Sequence, residues 1–208
     1  MTLRTSRPAL AGAILCGGLS TRMGRDKALL DIDGATLLER AVARLQTVAD
    51  PVLLASGSRE LTHPACLSVP DDMAGVGPLA GLLAVLRASP HQLCAIVAVD
   101  MPDISPDLLR RLAALREGED AVVAVSPRGL EPLHAVYARS ALAAVEAALR
   151  EGERSVHGLL QRLRVRRVNA ADLLGARAAA RFAVNLNCPA DVTVWRREEG
   201  ERPPPRPH

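Results

Sequence analysis

Short apolar runs alternate with amphipathic segments along most of this chain, and that alternation limits the folds it can adopt. Runs such as 9–16 and 93–99 are almost entirely small and aliphatic, as expected of strands covered on both faces. The segments between them repeat apolar residues at helical spacing. The predicted strands are 9–16, 51–55, 93–99, 121–125, 133–137, 165–168 and 183–187, and the predicted helices are 36–48, 78–86, 105–115, 141–150, 154–161 and 189–197. This order predicts an α/β fold around a mainly parallel sheet.

A glycine pair and a polar segment follow the first predicted strand. Gly17 and Gly18 can turn the backbone tightly and bring bare N–H groups next to a ligand. Arg22 and Lys27 suit a polyphosphate, because Arg grips phosphate in a bidentate way and Lys supplies a mobile charge. The alternative is an ordinary turn followed by two solvated charges. The segment has neither the P-loop nor the dinucleotide-binding pattern, so both interpretations stay open from the spacing alone.

Aspartates follow the most apolar predicted strand. The carboxyl ends of parallel strands meet at one edge of the sheet, where ligands bind around a switch in strand order. Asp100 closes this strand, and one carboxylate there can hold Mg²⁺ against phosphate oxygens. Its alternative role is to cap a turn before Pro102. Asp103 is a poorer ligand candidate, because it can simply support the start of the next helix.

Other polar residues fall at or near the same predicted edge. Asp71 precedes a second glycine-rich loop and could hold a ribose or base, although acidic residues are common in turns. Asn185 and Asn187 alternate along the last predicted strand, so they share one face and could bind polar ligand groups. The alternative for Asn187 is to cap the final helix. His134 has the setting of a structural histidine, and Arg154 could bind phosphate or coat a helix.

Composition restricts the class of function. The 208 residues suit one domain with a sizeable core. We place that domain at 9–197, between a flexible tail at 1–8 and a disordered Pro/Arg-rich tail at 198–208. One Trp, one Tyr and one Phe argue against base stacking on single-stranded nucleic acid, and a net charge of +3 is too small for a nucleic-acid surface. No nucleic-acid partner is therefore expected.

Cysteine spacing and run lengths indicate a cytoplasmic protein without membrane association. Cys16, Cys66, Cys94 and Cys188 form no Cys-x-x-Cys pattern, so they are expected mainly as small hydrophobes. No apolar run approaches the length of a membrane span, and no secretion signal is expected. No Gly-x-Ser-x-Gly pattern is present, so hydrolysis through a covalent nucleophile is not expected either.

The ordered set of motifs resembles one known family. Residues 15–27, Leu-Cys-Gly-Gly-Leu-Ser-Thr-Arg-Met-Gly-Arg-Asp-Lys, are similar to the signature Leu-Ala-Gly-Gly-x-Ser-x-Arg-Met-Gly-x-Asp-Lys of the molybdenum cofactor guanylyltransferases, the MobA family. The later segments that match are 77–81, 99–102, 132–137, 152–154 and 185–191, in the family's order. The first motif is typical of nucleotidyltransferases in general, and the full set, across about 11–195, indicates the molybdopterin branch.

The resemblance implies a three-layer Rossmann-like nucleotidyltransferase fold that uses GTP and Mg²⁺ with Mo-molybdopterin as acceptor. GMP would pass to the acceptor, giving molybdopterin guanine dinucleotide and pyrophosphate. Other proteins of molybdenum cofactor biosynthesis, or acceptor proteins, are the macromolecules such an enzyme would meet. The implied catalytic residues are Lys27, Arg22 and Asp100; the nucleotide-binding residues are Leu15, Cys16, Gly17, Gly18, Lys27, Asp71 and Asp100; the metal ligand is Asp100; and the pterin-side residues are Asn185 and Asn187.

Three positions depart from the family pattern. Cys16 replaces the usual Ala, which is a small-for-small change. Ala55 and Ser56 stand where the family often has an Asn that contacts nucleotide, which weakens the support for guanine. Cys188 replaces a Thr before a Pro, and this change weakens the last helix cap by about 1 kcal/mol.

Three other functions are compatible with these residues. A cytidylyltransferase for the same pterin, or a sugar-phosphate nucleotidyltransferase, would share the glycine loop, Lys27 and Asp100. The Gly-Gly pair favours guanine over the cytidylyl branch, which tends to show Ala-Ala-Gly. A non-catalytic carrier of nucleotide or cofactor is the alternative of another class, and the intact Lys27 and Asp100 argue against it.

Overall fold

A central sheet organises the residues that the computed structural model describes, which are 9–16, 26–70 and 77–200. The strands are β1 (Leu10–Leu15), β2 (Asp31–Ile32), β3 (Ala35–Thr36), β4 (Val52–Ala55), β5 (Leu67–Val69), β6 (Leu93–Ala98), β7 (Ala121–Ser126), β8 (Gly129–Ala138) and β9 (Val165–Asn169). Seven of them form one sheet in the order β5-β4-β1-β6-β8-β7-β9, and β2 pairs with β3 apart from it.

The large sheet is mainly parallel because only β8 runs against its neighbours. β1 pairs in parallel with β4 on one side and β6 on the other, so that Leu15 lies opposite both Ala55 and Ala98. β8 is antiparallel to β6 and to β7. Since β1 sits between two strands that both follow it in the chain, the strand order switches direction beside β1. That switch opens a crevice at the carboxyl ends of β1 and its neighbours.

Helices cover both faces of the sheet. They are α1 (Leu37–Gln46), α2 (Pro78–Ala88), α3 (Pro106–Ala114), α4 (Leu142–Arg150), α5 (Val156–Leu160), α6 (Ala170–Leu174), α7 (Ala176–Arg181) and α8 (Pro189–Gly200). One apolar core contains buried residues of α1, α3, α7 and α8, and the other contains those of α2, α4 and α5. Alternate residues of β1 belong to opposite cores, with Ile14 in the first and Leu15 in the second. The predicted three-layer α/β fold with a mainly parallel sheet is confirmed.

Local signals fixed several helix starts as expected. The Thr36 hydroxyl accepts from the Glu39 N–H at 3.1 Å, and the Glu39 carboxylate accepts from the Thr36 N–H at 2.7 Å. This reciprocal pair is a capping box at the start of α1. Ser105 caps α3 by accepting from the Leu108 N–H at 3.3 Å. None of the helices in the described part of the chain is long and apolar enough to cross a membrane.

The segment predicted as the last strand, 183–187, is not a strand. It is irregular, and the Leu186 N–H donates to the Asp100 carbonyl at 2.9 Å. Its alternating pattern comes from crossing the end of β6, which buries Leu186 and leaves Asn185 and Asn187 at the crevice. Five strands and helices were not predicted from the sequence, namely β2, β3, β5, α6 and α7. α8 extends to Gly200, three residues past its predicted end.

Asp103 ties the chain after β6 to the C-terminal helices. It is buried, and its Oδ2 accepts from the Trp195 indole N–H at 2.7 Å and from the Arg181 Nε–H at 2.9 Å. Arg44 Nη2 of α1 lies 3.8 Å from Oδ1. Asp103 therefore holds α7 and α8 against the end of β6, and it is not among the residues that line the cleft described below. Supporting the start of α3, the role considered from the sequence, belongs to Ser105.

Removing this carboxylate is expected to destabilise the fold. Asp103→Ala should lower the free energy of unfolding by about 3–5 kcal/mol, because the buried Trp195 N–H loses its acceptor and the half-buried Arg181 loses this ion pair. Urea unfolding followed by the fluorescence of Trp195, the one tryptophan in the chain, measures this. Asp107→Ala is the matched control, since Asp107 is 46% exposed and pairs with Arg111 on the surface of α3. It should cost less than about 1 kcal/mol. Equal losses in the two variants would contradict the role given to Asp103.

Candidate active site

The hydrogen bonds of the sheet continue one residue beyond β1 and β6 and fix the floor of the crevice. The Cys16 N–H donates to the Ala55 carbonyl at 2.9 Å, and the Val99 N–H donates to the Leu15 carbonyl at 3.1 Å. Asp100 follows directly after Val99. The backbone at Leu15 and Cys16 is thereby placed beside the Asp100 carboxylate, at the point where the strand order switches.

Three residues far apart in the sequence meet above this floor. Lys27 Nζ donates to the Asn187 side-chain oxygen at 2.8 Å and lies 3.4 Å from Asp100 Oδ2. The Lys27 and Asp100 side chains are 19% and 22% exposed, respectively. The hydrogen bond from the Leu186 N–H to the Asp100 carbonyl holds the neighbouring Asn187 at this position. Lys27 and Asp100 therefore share one cleft.

The electrostatics of Asp100 favour a bound cation. Burial raises the pKa of the Asp100 carboxyl, and the charge and hydrogen bond of Lys27 oppose this rise. The free-energy cost of removing the carboxylate from water is therefore larger than the stabilisation that Lys27 provides. Additional positive charge at this carboxylate would stabilise its ionised form.

Lys27 is positioned by two residues that were not among the predicted site residues, Asp26 and Arg59. Asp26 caps the short 3₁₀ turn Lys27–Leu29, its Oδ1 accepting from the Ala28 N–H at 3.0 Å. The same oxygen accepts from Arg59 Nη1 at 2.6 Å, and Arg59 Nε donates to the Ser56 carbonyl at 3.2 Å. Arg59 thus fastens the Lys27 turn to the end of β4. Its other terminal nitrogen, Nη2, is buried and has no hydrogen-bond partner among the described residues.

The two asparagines are placed at the crevice by the cap of α8. The Asp191 carboxylate accepts from the N–H groups of Asn187 and Cys188 at 2.6 and 2.9 Å. These bonds hold the pKa of Asp191 below its usual range. Asp191 therefore caps α8, which leaves the Asn187 side chain with Lys27 rather than in the capping role considered as its alternative. Asn185 also lines the crevice.

The crevice is a cleft of about 350 Å³ with two unlike walls. This volume lies within the range of small-molecule sites. One wall comes from the ends of β4, β1 and β6 and carries Cys16, Arg59 and Asp100. The opposite wall comes from β8 and α5 and carries Glu131 and His157. Lys27 lines the same cleft as both sets of residues.

Of the remaining candidates, His134 has a structural environment, whereas Cys16 and Arg154 line the cleft or its extension. His134 is fully buried on β8, where its Nε2 accepts from the Ser105 N–H at 3.0 Å and its ring lies 4.7 Å from that of Phe182. Burial lowers its pKa to about 4, so it stays neutral at physiological pH. Burial raises the pKa of the Cys16 thiol to about 12, which leaves it protonated. Arg154 lines a shallower extension of the cleft beside His157.

Comparison with known proteins decides what kind of site this is. The family model of the MobA-like NTP transferase domain matches residues 12–168.

The chain belongs to the MobA-like NTP transferase family.

Relatives and solved structures agree with this assignment. A protein from Pelotomaculum thermopropionicum, named as a probable molybdenum cofactor guanylyltransferase, is 37% identical over 189 residues, which are 89% of this chain and 91% of the relative. A second protein of that name, from Opitutus terrae, is 45% identical over 157 residues, 71% of this chain and 76% of the relative. The crystal structure of molybdopterin-guanine dinucleotide biosynthesis protein A from Archaeoglobus fulgidus, 26% identical, matches with a TM-score of 0.80 and covers 92% of this chain and 100% of its own.

The family assignment made from the motifs is confirmed, and the protein is a nucleotidyltransferase. Within this MobA-like transferase, the cleft brings together Leu15, Cys16, Lys27, Asp100, Asn185 and Asn187 from the residues that the motifs nominated. Gly17, Gly18, Arg22 and Asp71 lie outside the described residues.

Arg59 is expected to matter for turnover through its hold on the Lys27 turn. Arg59→Met should lower kcat/KM by about 10-fold or more, because small displacements of a positioned charge cost catalysis steeply. Steady-state kinetics of the MobA-like transferase, with the concentration of the nucleoside triphosphate varied, measure this. Arg87→Met is the matched control, since Arg87 pairs with Glu146 on an exposed surface. A loss in both variants, or in neither, would contradict the positioning role.

Proposed function

We propose that this protein transfers GMP from GTP to Mo-molybdopterin, forming molybdopterin guanine dinucleotide and pyrophosphate. The observation that carries the proposal is the meeting of Lys27, Asp100 and Asn187 in one cleft at the switch point of the sheet. The molybdenum cofactor guanylyltransferase relatives, similar over most of their length, supply the substrate class.

The residues on the two walls of the cleft support a separate place for each substrate. GTP would lie against the β4–β1 wall, with Leu15, Cys16, Gly17, Gly18 and Asp71 as its contacts and with Arg22 and Lys27 at its phosphates. The acceptor would enter from the β8 wall, past Asn185 and Asn187. This arrangement lets the two substrates meet above Asp100.

The chemistry then needs little proton transfer from the protein. An oxygen of the acceptor's terminal phosphate attacks the α-phosphorus of GTP, and the bond to the bridging oxygen of pyrophosphate breaks in line with it. The nucleophile is already an anion, so no general base is required. The Lys27 ammonium neutralises charge that builds up on the departing pyrophosphate, and Asn187 keeps Lys27 aimed at it.

The donor set at Asp100 fits Mg²⁺. Among the described residues no three His, Cys, Asp or Glu side chains converge as a metal-binding group. Mg²⁺ needs no such group, because it commonly takes one or two carboxylates and completes its shell with water and phosphate oxygens. Asp100 is a partly buried carboxylate with an uncompensated desolvation cost, and it is the residue that would hold the ion. Bound there, Mg²⁺ would neutralise charge on the reacting phosphates.

The decisive experiment is product analysis. The purified protein is incubated with Mg²⁺, Mo-molybdopterin and radiolabelled GTP or CTP, and the labelled dinucleotide is separated from free nucleotide. We expect GTP-dependent product with at least about 10-fold preference over CTP. Equal or preferred use of CTP would replace the proposal with a cytidylyltransferase. Transfer to a sugar phosphate but not to the pterin would indicate a sugar-phosphate nucleotidyltransferase. Binding of nucleotide or cofactor without transfer would indicate a carrier.

A further inference from the structure

The β8 wall of the cleft carries a carboxylate that the proposed chemistry leaves unused. Glu131 lies on β8 opposite Ala124 of β7, next to a register shift in that strand pair. Its Oε1 accepts from the Ser126 hydroxyl at 2.6 Å, and Ser126 Oγ in turn accepts from the Arg128 N–H at 2.9 Å. Ser126 is buried. The Glu131 side chain is therefore held in a defined orientation at the mouth of the cleft.

The second oxygen of this carboxylate needs a donor. Oε2 makes no hydrogen bond to the residues that the structure describes, and among them Glu131 forms no ion pair. Burial raises the pKa of Glu131, while the Ser126 bond and the more distant charges of Arg128 and His157 oppose that rise. A carboxylate that has lost part of its hydration and lines a cleft is a ready acceptor for ligand N–H groups.

Sheet order decides which substrate reaches it. β6 separates β8 from β1, so Glu131 faces Cys16 and Arg59 from the other side of Asp100. This inference rests on the function proposed above, in which GTP lies against the β1 wall. In that arrangement Glu131 faces the acceptor.

The acceptor's ring system offers the matching group. A pterin presents an exocyclic amino group beside a ring N–H, and these two donors lie side by side and suit the two oxygens of one carboxylate. Guanine carries the same edge, so the shared chemistry is the amino-pyrimidinone donor pair. We propose that Glu131 is the specificity residue for the acceptor and accepts hydrogen bonds from this edge of the pterin ring.

Binding of two free ring systems tests the assignment without turnover. Pterin is compared with lumazine, in which a carbonyl oxygen replaces the exocyclic amino group, by fluorescence titration of the full chain and of Glu131→Gln. We expect the unaltered protein to bind pterin at least about 10-fold more tightly than lumazine, and Glu131→Gln to lose most of that preference. Gln keeps the size of the side chain and an oxygen for Ser126. Glu146→Gln is the matched control on the exposed surface of α4 and should keep the preference.

The outcomes separate this inference from the proposed function. Binding of neither ring, equal binding of both by the unaltered protein, or an unchanged preference in Glu131→Gln would overturn the assignment. A Glu131→Gln variant that loses affinity for GTP and keeps it for pterin would point to guanine as the bound edge and would also overturn it. The titration measures binding and not transfer, so its result is independent of the product analysis described above. If the protein prefers pterin through Glu131 but forms no dinucleotide in the product analysis, only the proposed function is refuted.

Discussion

Lys27→Ala is expected to lower kcat by about 10²–10³-fold and to leave the protein folded. The ammonium group touches both Asp100 and Asn187, and it is the charge placed between the two walls of the cleft. Its removal takes away stabilisation that matters most when negative charge moves onto pyrophosphate. Initial rates of dinucleotide formation and thermal unfolding, measured on the same preparation, test this. Turnover within about 3-fold of the unaltered protein would contradict a catalytic role and favour a carrier.

The composition of the chain sharpens this prediction. Lys27 is the single lysine among the 26 Lys and Arg residues. Every other basic position uses arginine, so a general preference for lysine cannot explain the residue found here. A compact ammonium can turn between Asp100 and a phosphate, whereas a planar guanidinium has a different size and a fixed set of donors. Lys27→Arg is accordingly a strict second variant, and we expect it to recover less than about a tenth of the activity.

A single lysine also permits a chemical test on the unaltered chain. An amine-selective acylating reagent has one side-chain target, Lys27, besides the chain's own amino terminus. Acylation should abolish transfer, and GTP with Mg²⁺ should protect against it. Peptide mapping by mass spectrometry locates the acyl group. Full activity after complete acylation of Lys27 would exclude the role given to its charge.

Sequence patterns predicted the frame of the fold because its strands are long and almost wholly apolar. β1 and β6 have no polar residue to compete with burial, and α1 and α3 have explicit caps at Thr36 and Ser105. β5 was missed because Leu67 and Ser68 are exposed on an edge strand, which removes the apolar signal. The segment 183–187 was wrongly predicted as a strand, since period-two alternation also arises where an irregular segment crosses a strand end.

Site prediction succeeded where a strand end fixes the position of a side chain. Asp100 follows β6 directly, so its location depends on a single buried strand. Arg59 could not be found in this way, because it lies in a turn without a motif and acts on Lys27 through Asp26 across 33 positions of sequence. The one available signal was the missing Asn at Ala55 and Ser56, which left the end of β4 without the amide side chain that the family often has there.

Asp100→Asn is expected to lower kcat by about 10³-fold, the largest loss of any single change considered, because it removes the negative charge that would hold Mg²⁺. Asn keeps the shape of the side chain and can still accept from Lys27. Added Mg²⁺ should restore little activity up to millimolar concentration. Rates measured across a Mg²⁺ titration test this, with Asp107→Asn on the surface of α3 as the control. A variant that regains normal turnover at higher Mg²⁺ would show that Asp100 tunes ion affinity without being required for the reaction.

Asp100→Asn should lower activity but raise stability at the pH values where Asp100 is ionised. The direction of the stability change follows from the pKa of Asp100. Burial raises the pKa of Asp100 in the folded protein, so the ionised carboxylate is less favourable there than in the unfolded chain. The contribution of the protonated Asp100 to the free energy of unfolding is fully present below the ordinary aspartate pKa. It is lost as pH rises through the raised pKa of Asp100 in the folded protein. Asp100→Asn has no such group to ionise. Its free energy of unfolding, relative to that of the unaltered protein, should therefore increase as pH rises through this interval and then level off. Urea unfolding at a series of pH values measures the difference. A difference that does not change with pH would mean that Lys27 compensates the buried charge in full, and one that falls with pH would mean that Lys27 overcompensates it.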